Sequence, residues 1–179
     1  MSSRTATDTP APAKVRPGAR RRTILAALLV AALAQAAHTA DAFAASATDA
    51  SGPLPKAAQW NGKSPNEMKP GFYANPALRA AGSALLGAKR FEEITSRWNV
   101  TAPIQADGDA LLAWGCKPHD CGDNQQATLI DGGRVMICVT DAGTSHWFVP
   151  DRKQPLAAGA AGCNFETVKD ARQGLAAAR

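Results

Sequence analysis

Cys116, His119 and Cys121 fall within the string Cys116-Lys117-Pro118-His119-Asp120-Cys121. Three chemistries suit those residue types at that spacing. As a metal site, Cys116, His119 and Cys121 offer three ligands. A structural zinc usually takes four, and no second Cys/His pair stands at ligand spacing. As a nucleophilic site, Cys116 would be the thiol and His119 its base, but no oxyanion-stabilising element can be named beside them. As a disulfide, the two cysteines close a small ring. Pro118 then fixes one backbone torsion inside it, and His119 has few places to point except outward. A rigid, protruding loop fits a partner's cleft better than it forms a concave pocket of its own. From the residues alone, a binding loop and a ring that merely tidies a hairpin end rank level. His146 beside Ser145 hints at serine chemistry, but a strand residue on a polar face is the simpler account.

The start of the chain decides among these. Arg20-Arg21-Arg22 is followed by an apolar run from Ile24 to Ala34 and then by Ala42-Phe43-Ala44. A basic segment, a short apolar core and an A-x-A site read as an export signal over residues 1–44, cut after Ala44. The apolar run is too short for a membrane anchor, which needs about 20 residues. The paired arginines also admit a twin-arginine route. All four cysteines, Cys116, Cys121, Cys138 and Cys163, lie beyond the signal. An even number in an oxidising compartment implies disulfides. Of the three possible pairings, Cys116–Cys121 and Cys138–Cys163 are favoured. A disulfide silences a nucleophilic Cys116 and competes with metal.

Charge excludes one function class. The formal charge is +5, but residues 1–44 hold six Lys/Arg against two Asp/Glu, and the remainder fourteen against thirteen. The basic character belongs to the signal. No basic stripe with interleaved aromatics remains for nucleic acid.

The elements that must position the loop follow in order. Residues 45–75 are rich in Ala, Ser, Pro, Gly and Asn and read as a flexible lead-in, with Trp60, Phe72 and Tyr73 docking locally. The domain then spans residues 76–179. Asn75 caps a helix that starts at Pro76, although Gly82 and Gly87 weaken it. A second short helix covers Phe91 to Trp98, with Phe91, Ile94 and Trp98 on one face. Five strands follow: Val100 to Ala106 with a break at Pro103, Ala110 to Gly115, Gln125 to Ile130, Arg134 to Thr140, and Ser145 to Val149. Asp107-Gly108, Asp131-Gly132-Gly133 and Asp141-Ala142-Gly143 are turn signals. Short links favour antiparallel pairing. A final helix, capped by Asn164, runs from Phe165 to Ala178, with Phe165, Val168 and Leu175 toward the sheet. The expected fold is α+β, a five-stranded antiparallel sheet flanked by helices in a single domain, with the ring between its second and third strands.

Cys116 to Gly122, CKPHDCG, resembles the inhibitory loop of the Ivy family, bacterial inhibitors of vertebrate lysozyme. The likeness extends more loosely from Phe91 to Pro150, and the family's five-stranded antiparallel sheet with flanking helices agrees with the strand pattern. Cys138, Cys163 and the Ala-rich C-terminal helix depart from it. The resemblance implies an exported, non-enzymatic protein of the periplasm that occludes the cleft of c-type lysozyme. It implies that His119 bonds to the catalytic carboxyl groups, with Lys117, Pro118 and Asp120 as rim contacts or loop-shaping residues, and that no cofactor or metal is needed. Two readings from other classes stand beside it. One is a periplasmic protein that restrains the cell's own wall-cleaving enzymes, the lytic transglycosylases. The other is a small metal-binding module. Neither nucleic acid nor, after signal cleavage, a membrane is an expected partner.

Overall fold

The structure, a computed structural model, describes residues 52–179. The export signal read at 1–44 and the first residues of the lead-in lie outside the described residues.

Seven strands make one open antiparallel sheet: β1 (Val100–Thr101), β2 (Gln105–Asp107), β3 (Ala110–Cys116), β4 (Gln125–Asp131), β5 (Arg134–Asp141), β6 (Thr144–Phe148) and β7 (Leu156–Ala157). Their order is β1-β3-β4-β5-β6-β7, with β2 also paired to β3. The expectation of five strands is therefore corrected to seven, and the α+β class stands. Pro103 has no amide hydrogen to give to the ladder, so the first expected strand becomes two short ones on the same edge of β3. β7 comes from a polar stretch, and its two residues are too few to show a period.

β3, β4 and β5 are buried on both faces, and alternate residues serve two cores. On the first face Leu111, Ala113, Ile137 and Val139 meet Leu78, Phe91, Ile94 and Trp98. On the second, Leu112, Ala127, Leu129, Cys138 and Trp147 meet Phe165, Val168 and Ala171. The first face is covered by α1 (Ala57–Trp60), α2 (Pro76–Leu86) and α3 (Ala88–Ser96), the second by α4 (Val168–Ala177).

The starts of α2 and α4 follow capping rules. The Asn75 side chain accepts from the Leu78 N–H at 2.9 Å, and Pro76 opens α2 as expected. Gly82 is no weakness in that helix, because a Cβ there would overlap the Phe91 ring, so its absence lets α3 pack close. The last helix starts later than expected. Asn164 does not cap it; Thr167 does, in a reciprocal capping box with Asp170. The sequence Thr-x-x-Asp satisfies two orphan helix-end donors at once, which a lone Asn164 cannot do. Phe165 and Val168 are buried against the second face, and Leu175 packs at its margin. Arg172 then clips α4 to two turns, with bonds to Asp131 at 2.7 and 3.0 Å and to Asp107 at 2.6 Å.

The segment read as a flexible lead-in reaches into the core. Trp60, Phe72 and Tyr73 are 4 %, 0 % and 8 % exposed and stack edge to face in series. Local docking was expected of these three aromatics, but they are part of the first core itself. A boundary at residue 76 would cut through that core. Among the described residues no helix is long and apolar enough to cross a membrane.

Candidate functional site

β3 and β4 end together, with Cys116 opposite Gln125 in the register. Residues Lys117 to Asn124 therefore stand beyond the last rung as a protruding loop. Its backbone is closed by its own bonds. The Lys117 N–H donates to the Asn124 carbonyl at 3.0 Å, and the Asn124 N–H to the Asp120 carbonyl at 3.0 Å. The Asp120 N–H donates to the Lys117 carbonyl at 3.1 Å, which makes a tight turn over Pro118 and His119. Proline at the second position and a positive φ at the third are the pattern of a type II turn. His119 takes that positive φ, at 64°. Glycine normally fills such a position; histidine is enriched there relative to other side chains but still strained.

Cys116 and Cys121 are joined across the base of this turn, with Cα atoms 5.0 Å apart. Cys138 and Cys163 are joined with Cα atoms 5.4 Å apart. Both favoured pairings are thus those of the structure, and no cysteine of the chain is free.

The side chains sort themselves around Asp120. Its carboxylate accepts from Lys117 Nζ at 3.1 Å and from Asn124 Nδ2 at 2.7 Å. Lys117 and Asp120 are therefore engaged with each other. His119 is exposed at the tip, and none of the other loop side chains bonds to it. Asn124 escaped the sequence reading. It closes the loop with its N–H, its carbonyl and its amide group, opposite the disulfide. An Asn four residues after an Asp, at the end of a ring, is the signal that could have found it, since such side chains bond to groups nearby in sequence.

The exit strand is anchored in the core. Gln125 accepts from Trp114 Nε1 at 3.2 Å. Gln126 donates to the Tyr73 hydroxyl at 2.7 Å, and Thr128 donates to Gln126 at 2.9 Å. The Tyr73 hydroxyl lies 3.4 Å from that of Thr128 and completes the ring. Burial pushes the Tyr73 phenol up to about 12, against the lowering effect of its hydrogen bonds.

This arrangement can present one imidazole on a stiff protrusion, able to donate and to accept a hydrogen bond at once. The cysteines of the metal and thiol readings are spent in the disulfide, and no group of three His, Cys, Asp or Glu among the described residues could hold a metal. Ser145 and His146 are not brought together. They are neighbours on β6 and face opposite ways, and the Ser145 hydroxyl bonds instead to Thr140 at 2.8 Å.

Residues 77–151 match the model of a protein family described as inhibitor of vertebrate lysozyme (Ivy). The resemblance carried by Cys116 to Gly122 is thereby shown, and it runs from α2 to just past β6, further toward the N-terminus than Phe91. It stops short of β7, Cys163 and α4. No curated protein and no solved structure matches the chain at a significant level.

Proposed function

From the match of residues 77–151 to the Ivy family, we propose that the protein inhibits c-type lysozyme by inserting the Cys116–Cys121 loop into the enzyme's active-site cleft. The observation that carries this is the loop itself, a disulfide-closed protrusion with His119 exposed at its tip. The target is chemically complementary. A glycosidase of this type works with two carboxyl groups that flank the scissile bond. One is held protonated by its surroundings while the other is ionised. The His119 imidazole accepts from the first and donates to the second, so the sugar is displaced and no bond is made or broken. The inhibitor is a plug, not an enzyme.

Lys117, Pro118 and Asp120 serve mainly to shape the loop in this reading. Pro118 fixes the turn, and the Lys117–Asp120–Asn124 contacts hold it. Ordering a free loop on binding costs roughly 0.5–1.5 kcal/mol per immobilised long side chain, and a loop already in shape avoids much of that. The setting is the periplasm. The export pattern at residues 1–44 and two disulfides with no free cysteine support it, because disulfides persist in oxidising compartments.

His119→Ala tests the plug. Removing one partner of a buried, charge-assisted pair costs about 2–5 kcal/mol, and about 1.4 kcal/mol is a factor of ten. The variant is expected to inhibit at least ~30-fold less well and to melt like the parent. Titrating c-type lysozyme with both proteins, with a lytic transglycosylase in parallel, measures this. Inhibition of lysozyme within about twofold of the parent would sink the plug mechanism.

A further inference from the structure

An eight-residue loop is too small to be a whole interface. Of residues 117–124, only Lys117, His119, Gly122 and Asp123 are exposed. A specific, stable complex takes roughly 800 Å² and about 20–30 residues from each partner. If the loop enters a cleft, the cleft's rims must rest on what stands beside the loop.

The sheet decides what that is. Register and strand order bring three segments to the same end. Val100 of β1 pairs with Cys116, at the foot of the loop on one side. It is 43 % exposed, the one large apolar side chain in that state among the described residues. On the other side β4 is followed by β5, whose turn into β6 is Asp141 to Thr144, exposed throughout. This turn is fastened to the loop, because the Gly143 N–H donates to the Asp123 carbonyl at 3.0 Å. It is fastened to the body as well. Asp141 pairs with Arg90 at 2.6 Å, and the Arg90 guanidinium sits 5.0 Å from the centre of the Trp98 ring. Like His119, Ala142 holds a positive φ, at 48°. Asp123, the loop residue bonded to the turn, is exposed and forms no ion pair among the described residues.

We infer that Val100, the loop and the turn Asp141–Thr144 form one docking ridge, with His119 in the cleft and the two flanks against its opposite rims. The occupant is the same c-type lysozyme, so the inference rests on the proposed function. Val100 supplies an apolar contact on one rim. Asp123 and the Thr144 hydroxyl supply polar contacts on the other, where a cation beside the cleft would pair with the free carboxylate. The flanks, rather than the histidine, would then discriminate between lysozymes that share the same catalytic carboxyl groups.

The experiment measures Kd for c-type lysozyme with Val100→Glu, Thr144→Arg and His119→Ala, with Gln154→Arg at the far end of the sheet as control. Each flank variant is expected to weaken binding by roughly tenfold or more, because it forces a charge or a long side chain into the contact. The control should stay within about twofold, and all four should melt like the parent. Should Val100→Glu unfold, Val100→Thr keeps the strand shape and is expected to weaken binding roughly threefold. Flank variants that bind like the parent while His119→Ala fails would overturn the ridge and leave the plug. Weak flank variants with an unaffected His119→Ala would support the ridge and overturn the plug. Parent-like binding by all of them would overturn both.

Discussion

The two disulfides sit in different places, one at a hairpin end and one inside a core. Cys116–Cys121 spans five positions at the end of a hairpin, with Cys116 buried at the strand end, Cys121 half-buried and His119 exposed between them. Cys138–Cys163 spans 25 positions and lies in the second core, with both residues fully buried. By the loop-entropy account the first restrains the unfolded chain by about 2 kcal/mol and the second by about 3.5 kcal/mol. The larger contrast is in what each one holds. The buried bridge ties the segment before α4 to a central strand, and so keeps the cover of one sheet face in place. The hairpin bridge ties nothing distant. It holds the four residues Lys117 to Asp120 in one turn, the shape that the proposed inhibition uses. One chemistry thus pins a helix to the sheet in one place and shapes a single protruding turn in the other.

Removing the bridges one at a time measures that contrast. Cys138→Ala with Cys163→Ala is expected to lose about 3–5 kcal/mol of stability, the usual cost of a native disulfide plus the lost packing. The melting point should fall steeply, while inhibition measured well below it should be near that of the parent. Cys116→Ser with Cys121→Ser should lose about 2 kcal/mol or less, and should inhibit clearly less well at temperatures where it is folded. The comparison breaks if the hairpin pair costs more stability than the core pair. It also breaks if the folded Cys116→Ser, Cys121→Ser variant inhibits fully.

The first sheet face has no covalent pin, and its counterpart is the buried ring of Tyr73, Gln126 and Thr128. Its strength can be read by pH. Tyr73 is the single tyrosine of the chain, and burial pushes it up to about 12 from an unfolded value near 10. A group with a raised folded value contributes stability that is fully present below the unfolded value. That contribution is lost as pH rises through the folded value. Between about pH 10 and pH 12 the protein should therefore lose on the order of 3 kcal/mol, at about 1.4 kcal/mol per unit. Tyrosinate absorbance in the folded protein should appear near pH 12. Its appearance at pH 10 with the fold intact would mean that the phenol is not sealed in the core.

The same contrast explains how much was legible in the sequence. The loop was readable because everything that shapes it is local: two cysteines, a proline and the turn residues lie within a few positions of one another. The Cys116–Cys121 pairing, the order of the long strands and the turns at Asp131-Gly132-Gly133 and Asp141-Ala142-Gly143 follow from patterns of the same short range. The lead-in misled because composition speaks of backbone freedom, while three aromatics spaced over residues 60–73 are held by a sheet formed far downstream. β7 was invisible because two residues carry no period. Asn124 was missed because it lies outside the cysteine ring, and only the folded loop brings Lys117 and Asn124 onto the Asp120 carboxylate.

The smallest effect is the one that separates shape from chemistry at the tip. His119 sits at a positive φ of 64°, where a side chain of the L hand costs roughly 1–2 kcal/mol and glycine almost nothing. His119→Ala and His119→Gly remove the same imidazole, so both should lose inhibition to a similar extent. They should differ in stability. Alanine keeps the Cβ that this backbone disfavours, whereas glycine removes it and in return gives the unfolded chain more freedom. The net expectation is that His119→Gly is more stable than His119→Ala by about 0.5–1 kcal/mol, a difference of a few degrees in melting point. Paired melting curves measure it, with lysozyme titrations beside them. Equal melting points would mean that the turn relaxes to another backbone once the histidine is gone, and that the imidazole itself helps to hold the strained shape. A more stable glycine variant with no inhibition would assign the strain to the backbone and the inhibition to the ring.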